Sequence, residues 1–139
     1  MKISASLANW ETDKKTIKFI RQCVFIKEQS VPEEMEWDKH DKTATHCLAW
    51  LEDKAIATGR LQADGQLGRM AVLKPYRHHG AGTLVLEFLI QQHQQRSDRP
   101  LVIHAQTHAI NFYNKFGFIK QGQEYKEAGI PHYTMILNK

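Results

Sequence analysis

The residues of this chain best suited to chemistry sit in a few short stretches, and the first is Arg77-His-His-Gly-Ala-Gly82. Gly80 and Gly82 let a backbone approach a ligand closely, and the unpaired N–H groups of a helix that starts there favour an anion. A pyrophosphate-bearing cofactor suits such a turn, with Arg77, His78, His79, Gly80, Ala81 and Gly82 around it. An ordinary strand-to-helix connection also uses glycines, so the turn alone does not decide the matter. Two sharper alternatives are excluded. No G-x-x-x-x-G-K-[ST] occurs, and the run lacks the first glycine of a dinucleotide fingerprint.

The second stretch, Ala105-Gln-Thr-His-Ala-Ile-Asn-Phe-Tyr-Asn-Lys-Phe-Gly-Phe118, reads on its own as an amphipathic helix stopped by Gly117. His104 and His108 are four residues apart across a strand end and lack a third ligand, so no metal site is expected. Cys23 and Cys47 have no C-x-x-C spacing, and without a signal-peptide pattern they are expected as reduced thiols in a cytoplasmic protein. His46 and Cys47 are neighbours on a strand and point to opposite faces, which rules them out as a nucleophilic pair. Arg69 either binds an anionic group of a substrate or holds a carboxylate. Trp10, Trp37 and Trp50 either line a pocket or pack in the core.

The elements that must position these residues follow from hydrophobic period. The chain of 139 residues, 42% apolar and 24% charged, suits one domain over residues 1–139. Its 19 Lys and Arg against 15 Asp and Glu leave a net +4, which attracts an anionic cofactor but is too mild for nucleic acid. Its apolar runs are too short to span a membrane. Lys2 to Ala8 alternates as a strand with Ile3, Ala5 and Leu7 on a buried side. A helix capped by Thr12 or Asp13 follows, with Ile17, Ile20, Val24 and Phe25 as its apolar stripe and Arg21 and Glu28 sharing a face. The acidic segment from Gln29 to Thr45 is expected as a loop or short helix whose charges face solvent. Strands are expected over 47–51, 55–61 and 67–73, then a helix after Gly82, a strand from Leu101, a short helix over 109–116 and a final strand pair over 118–124 and 132–137. The order implies a mixed α/β sheet with two parallel crossovers and a ligand where neighbouring strands part.

Taken together, Val72, Arg77-x-x-Gly80-x-Gly82 and Phe112-Tyr113-x-Lys115-x-Gly117-Phe118 resemble the GNAT superfamily of acyl-CoA N-acyltransferases. The similarity spans nearly the whole chain. Val24-Phe25-x-x-Glu28-Gln29-x-Val31-Pro32, with Asp38, Asp41, His46 and Gly129-Ile130-x-His132-x-x-Met135, is similar to a small bacterial subgroup. The resemblance implies a GNAT-like central mixed, mostly antiparallel sheet flanked by helices. It implies that backbone amides from Arg77 to Gly82 cradle the pyrophosphate of acetyl-CoA, and that main-chain groups of Met70, Ala71 and Val72 meet the pantetheine arm and thioester. It implies that Tyr113 protonates the departing thiolate, with Phe112 beside the cofactor. Where the family often has an asparagine six residues before that tyrosine, this chain has Thr107, and Gln106 is the substitute.

An amine must be neutral to attack a thioester, so a base or a water chain to one is required. Glu28 is the first candidate and His46 the second, while Glu36, Asp38 and Asp41 can attract a cationic acceptor. The resulting expectation is direct acetyl transfer from acetyl-CoA to a primary amine, small or peptidic, in a protein whose sheet edges allow a homodimer. A noncatalytic acyl-CoA-binding or sensing domain is the alternative.

Overall fold

The computed structural model describes residues 2–138. Among these, seven strands form one sheet: β1 (Ile3–Ala8), β2 (Thr45–Leu51), β3 (Lys54–Leu61), β4 (Gln66–Val72), β5 (Leu101–Gln106), β6 (Ile119–Glu127) and β7 (Ile130–Leu137), in the spatial order β1-β2-β3-β4-β5-β7-β6. This is the expected mixed, mostly antiparallel sheet. Only β4 and β5 are parallel neighbours. The second expected parallel crossover is absent, because β7 enters between β5 and β6 and pairs antiparallel with both.

Helix α3 (Ala81–Gln94) covers one face, burying Val85, Leu86 and Leu89 against Cys47, Ala49, Ile56 and Ala57. Helix α1 (Trp10–Arg21) covers the other, burying Ile17 and Ile20 against Leu48 and Ala71. Each fully buried aliphatic side chain of this size contributes about 1.5–3 kcal/mol. The cap of α1 is Asn9 rather than Thr12 or Asp13. Its Oδ1 accepts from the N–H groups of Glu11 and Thr12 at 2.8 and 3.3 Å, and Asp13 Oδ2 accepts from Asn9 N–H at 2.9 Å. Leu7 is 60% exposed at the sheet edge, and Ala8 takes the buried place instead.

After Arg21 the helix widens into a π-helical segment, Gln22–Glu28, and the N–H of Gln29 reaches back five residues to the carbonyl of Val24 at 3.1 Å. The wider turn shifts the phase of every later side chain. Arg21 and Glu28 therefore do not share a face as expected: Arg21 is fully buried and Glu28 is exposed.

The acidic segment folds as α2 (Glu33–Glu36) and a 3-10 turn over Lys39–Lys42. Its charges were expected in solvent, yet Glu36 is 3% and Asp41 2% exposed. Arg21 accounts for this. Its Nε donates to Glu36 Oε2 at 2.7 Å, one terminal nitrogen to Asp41 Oδ1 at 2.7 Å and the other to the Glu36 carbonyl at 2.8 Å. Arg60 on β3 donates to Asp38 and Asp41 at 2.7 and 3.0 Å, and Arg69 on β4 approaches Glu36 Oε2 and Asp38 Oδ2, each at 3.2 Å. A buried carboxylate needs such partners, and three arginines from three elements supply them.

Between β3 and β4 the register shifts, so that Gly59 faces both Arg69 and Met70, and Arg69 takes a left-handed φ of 52°. This β-bulge bends β4. A Cβ on Gly59 would lie 2.7 Å from Met70 Sδ and Val85 Cγ1 and 2.9 Å from Leu89 Cδ1. Gly59→Ala is expected to destabilise the fold by about 1–3 kcal/mol through overpacking, measured by urea unfolding. An unchanged midpoint would mean that the core yields there.

Candidate functional site

The parallel pairing of β4 and β5 covers only Gln66↔Val102 and Leu67↔Ile103. Beyond it β4 continues along β3 and β5 continues along β7, so the two strands part. The bulge at Arg69 and Met70 lies where they diverge. A cavity of about 1110 Å³ fills the split, with Met70, Ala71 and Val72 on one side and Ile103, Ala105 and Gln106 on the other. The edge of β4 that faces it has no strand neighbour, and its peptide groups are available to a ligand.

At one end of the cavity stands the glycine turn. Gly80 has φ of 89° and precedes α3 without capping it by a side chain, and the first turn of α3 carries no acid. The N–H groups there remain free to meet an anion, as a phosphate-binding turn requires. Gly82 lies where Val72 and Phe112 converge, 3.7 and 3.6 Å from the position of its missing Cβ. His78 lines the cavity and His79 does not. The Arg77 side chain braces the turn: its Nε donates to the Val72 carbonyl at 2.9 Å, and its two terminal nitrogens fork onto Glu28 at 2.6 and 2.7 Å.

Glu28 thus lines the cavity in a two-point pair with Arg77. The hydrogen bond from Arg77 holds its carboxyl below the usual range, which weakens it as a base. Its neighbour Gln29 exchanges amide hydrogen bonds with Gln106 at 2.8 and 3.4 Å, and His108 Nε2 bonds Gln106 Oε1 at 2.7 Å. The end of the π-helical segment is therefore tied both to the turn after β4 and to the end of β5. Thr107, which stands at the asparagine position, donates to Glu124 at 2.9 Å, while Gln106 faces the cavity.

Tyr113 projects from α4 (Ile110–Asn114) into the same cavity, 6% exposed, with Phe112 and Phe118 edge-on to its ring at 5.1 and 5.9 Å. Burial raises its phenol, so the hydroxyl stays protonated and can give a proton. Glu36 and Arg69 also line the cavity, as do Glu127, Ile130 and His132 of the β6–β7 hairpin.

His46 is not brought to this cavity. It lies within β2, 1% exposed, its Nε2 bonding the Asp41 carbonyl at 2.8 Å and its ring stacked on Trp10 at 4.8 Å. Burial lowers its basicity. None of the three tryptophans lines the cavity: Trp37 lies under Lys18 and Arg21, and Trp50 donates to Ser6. Cys47 is buried, its thiol pushed up to about 12 by desolvation. Among the described residues no group of His, Cys, Asp and Glu could hold a metal ion, and no helix is long and apolar enough to cross a membrane. Sequence reasoning assigns no role to Arg60, and it pairs neither Gln29 with Gln106 nor Arg21 with Glu36 and Asp41. These contacts join residues 15 to 77 positions apart, and no local spacing signals them.

Residues 11–139 match the family model described as an acetyltransferase (GNAT) domain. The chain is 37% identical to the uncharacterized protein YyaT of Bacillus subtilis over 84% of this chain and 82% of that protein. It is 32% identical to the uncharacterized N-acetyltransferase YjcF of the same organism, over 96% and 99%. Its fold superposes on the crystal structure of Escherichia coli ElaA with a TM-score of 0.89 and 26% identity, covering 99% of this chain and 100% of that one.

Proposed function

Because this chain belongs to the GNAT acetyltransferase family, its chemistry starts from acyl transfer out of an acyl-CoA, and we propose that the acyl group is acetyl and the acceptor a primary amine. The observation that carries this reading is the parting of β4 and β5, which opens one cavity to the uncapped start of α3, to the free edge of β4 and to Tyr113. Residues 1–139 act as a single acetyltransferase domain.

In this reading the backbone amides from Arg77 to Gly82 bind the pyrophosphate, and the dipole of α3 adds to their pull. Phe112 and Gln106 line the cofactor beyond the turn. Main-chain groups of Met70, Ala71 and Val72 hold the pantetheine arm, and one of their N–H groups polarises the thioester carbonyl as charge develops on its oxygen. The amine attacks the carbonyl carbon directly, the C–S bond breaks, and Tyr113 donates its proton to the departing sulfur. No covalent acyl-enzyme is required, which suits a site whose buried cysteine, Cys47, lies outside the cavity.

The test combines calorimetric binding of acetyl-CoA with mass spectrometry of a panel of primary amines and lysine peptides. An acetylated product that appears only with enzyme is the expected result. Tight binding of CoA with no acetylated product from any acceptor would instead favour a sensing domain.

A further inference from the structure

The cavity contains several groups that could accept a proton, and most are already engaged. Glu28 is forked onto Arg77, and Glu36 Oε2 is held by Arg21 at 2.7 Å and by Arg69 at 3.2 Å. His104 Nδ1 shares a hydrogen with the Tyr125 hydroxyl at 2.6 Å, and His108 bonds Gln106. His132 differs. Its Nδ1 lies 2.6 Å from the carbonyl oxygen of Ile130, which can only accept, so Nδ1 carries the hydrogen and Nε2 of the neutral ring keeps a lone pair.

The hairpin fixes this orientation. Ala128 and Gly129 both take positive φ, 52° and 76°, in a two-residue turn of the kind that matches strand twist, and this places the Ile130 carbonyl under the imidazole. The ring stacks on Tyr125 at 5.9 Å and stands across from Gln106 on β5, facing the cavity. Nε2 lies 3.7 Å from Glu127 Oε2. That is too far for a hydrogen bond to a neutral ring, yet close enough to stabilise an imidazolium once it forms.

We infer that His132 Nε2 takes the proton of the attacking amine. The inference rests on the acetyl-transfer reading above. The amine nitrogen forms its bond to the carbonyl carbon and loses a proton to Nε2, while the sulfur leaves with the proton of Tyr113; both residues then re-equilibrate with water. Tyr125 and Glu127 on β6 touch the imidazole, and the other charged or titratable groups that line the same cavity are Glu28, Glu36, Arg60, Arg69, Tyr76, Arg77, His78, His104, His108 and Tyr113.

The test is the pH dependence of the rate for wild type and His132→Gln at saturating acetyl-CoA, with an amine that wild type acetylates. His132→Gln is expected to bind CoA as wild type does, to lose about 100-fold in rate near neutral pH, and to recover part of the deficit at alkaline pH as hydroxide takes the proton of the attacking nitrogen in place of Nε2. His132→Ala is expected to regain rate with added imidazole. A full rate in His132→Gln, or a deficit that is the same at every pH and indifferent to imidazole, overturns the inference and leaves acetyl transfer standing. A wild type that acetylates no amine removes the acetyl-transfer reading, and the inference falls with it.

Discussion

Replacing Arg21 with methionine is expected to destabilise the protein by about 3–5 kcal/mol, the usual consequence of removing one partner from a buried ion network. For a chain of this length that corresponds to a fall in Tm of roughly 10 °C or more. The guanidinium makes three hydrogen bonds to α2 and the 3-10 turn, and no water can replace them at a side chain that is 1% exposed. Lys15→Met, on the exposed face of the same helix, should change stability by less than about 0.5 kcal/mol. A similarly small change in Arg21→Met would show that Arg60 and Arg69 suffice. The acid side of the stability curve tests the same network. Burial acts to raise Asp38 and Asp41, but Arg60 with Arg69 outweighs it at Asp38, and Arg21 with Arg60 outweighs it at Asp41, leaving both below the ordinary carboxylate range. Their folded values lie below their unfolded ones, so their contribution is complete above the unfolded value of about 4 and is lost as pH falls through the folded value. Glu36 has the opposite sign, since burial raises it against the pull of Arg69 and Arg21, and it offsets part of that gain above its unfolded value. Without Arg21, Asp41 and Glu36 shift upward, and acid unfolding should begin at higher pH.

Tyr113→Phe is expected to lower the transfer rate by about 100-fold or more while leaving acetyl-CoA affinity within a few-fold, measured by steady-state kinetics and calorimetry. The substitution removes one oxygen from a ring that Phe112 and Phe118 hold edge-on, so packing has little reason to change. Positioning of the thioester beside the free edge of β4 should survive and leave a residual rate. Good leaving groups discriminate further: an activated thioester whose thiolate needs no proton should suffer less. Unchanged turnover with acetyl-CoA would remove Tyr113 as the acid.

Most of the fold was legible because it is written in local period. Short apolar runs bounded by polar turns in β2 and β3, the stripe of Val85 and Leu89, and the glycines at Gly80 and Gly117 locate elements without tertiary information. The cofactor end of the site was legible for the same reason, since its glycines and Tyr113 fall in two contiguous motifs. The acceptor end was not. Glu36, Asp38 and Asp41 look like solvated charges until Arg21, Arg60 and Arg69 are brought to them by three different elements. Glu28 seemed to belong with Arg21 because seven residues complete about two α-helical turns, and the π-helical segment breaks that count. His46 looked free to face the cleft because its stack with Trp10, 36 positions away, leaves no local trace.

The short join between β4 and β5 has a mechanical consequence. Two register pairs connect the part of the sheet that carries the glycine turn to the part that carries Tyr113 and His132, with the Gln29–Gln106 amide pair as a strap across the open end. The seam is where the molecule is easiest to flex. A cofactor lying along the split touches both sides and works as a splint, so the backbone amides of Val102 and Ile103 should exchange with deuterium more slowly once it is bound. The same loading should stiffen the frame that sets the distance from the phenol to the imidazole.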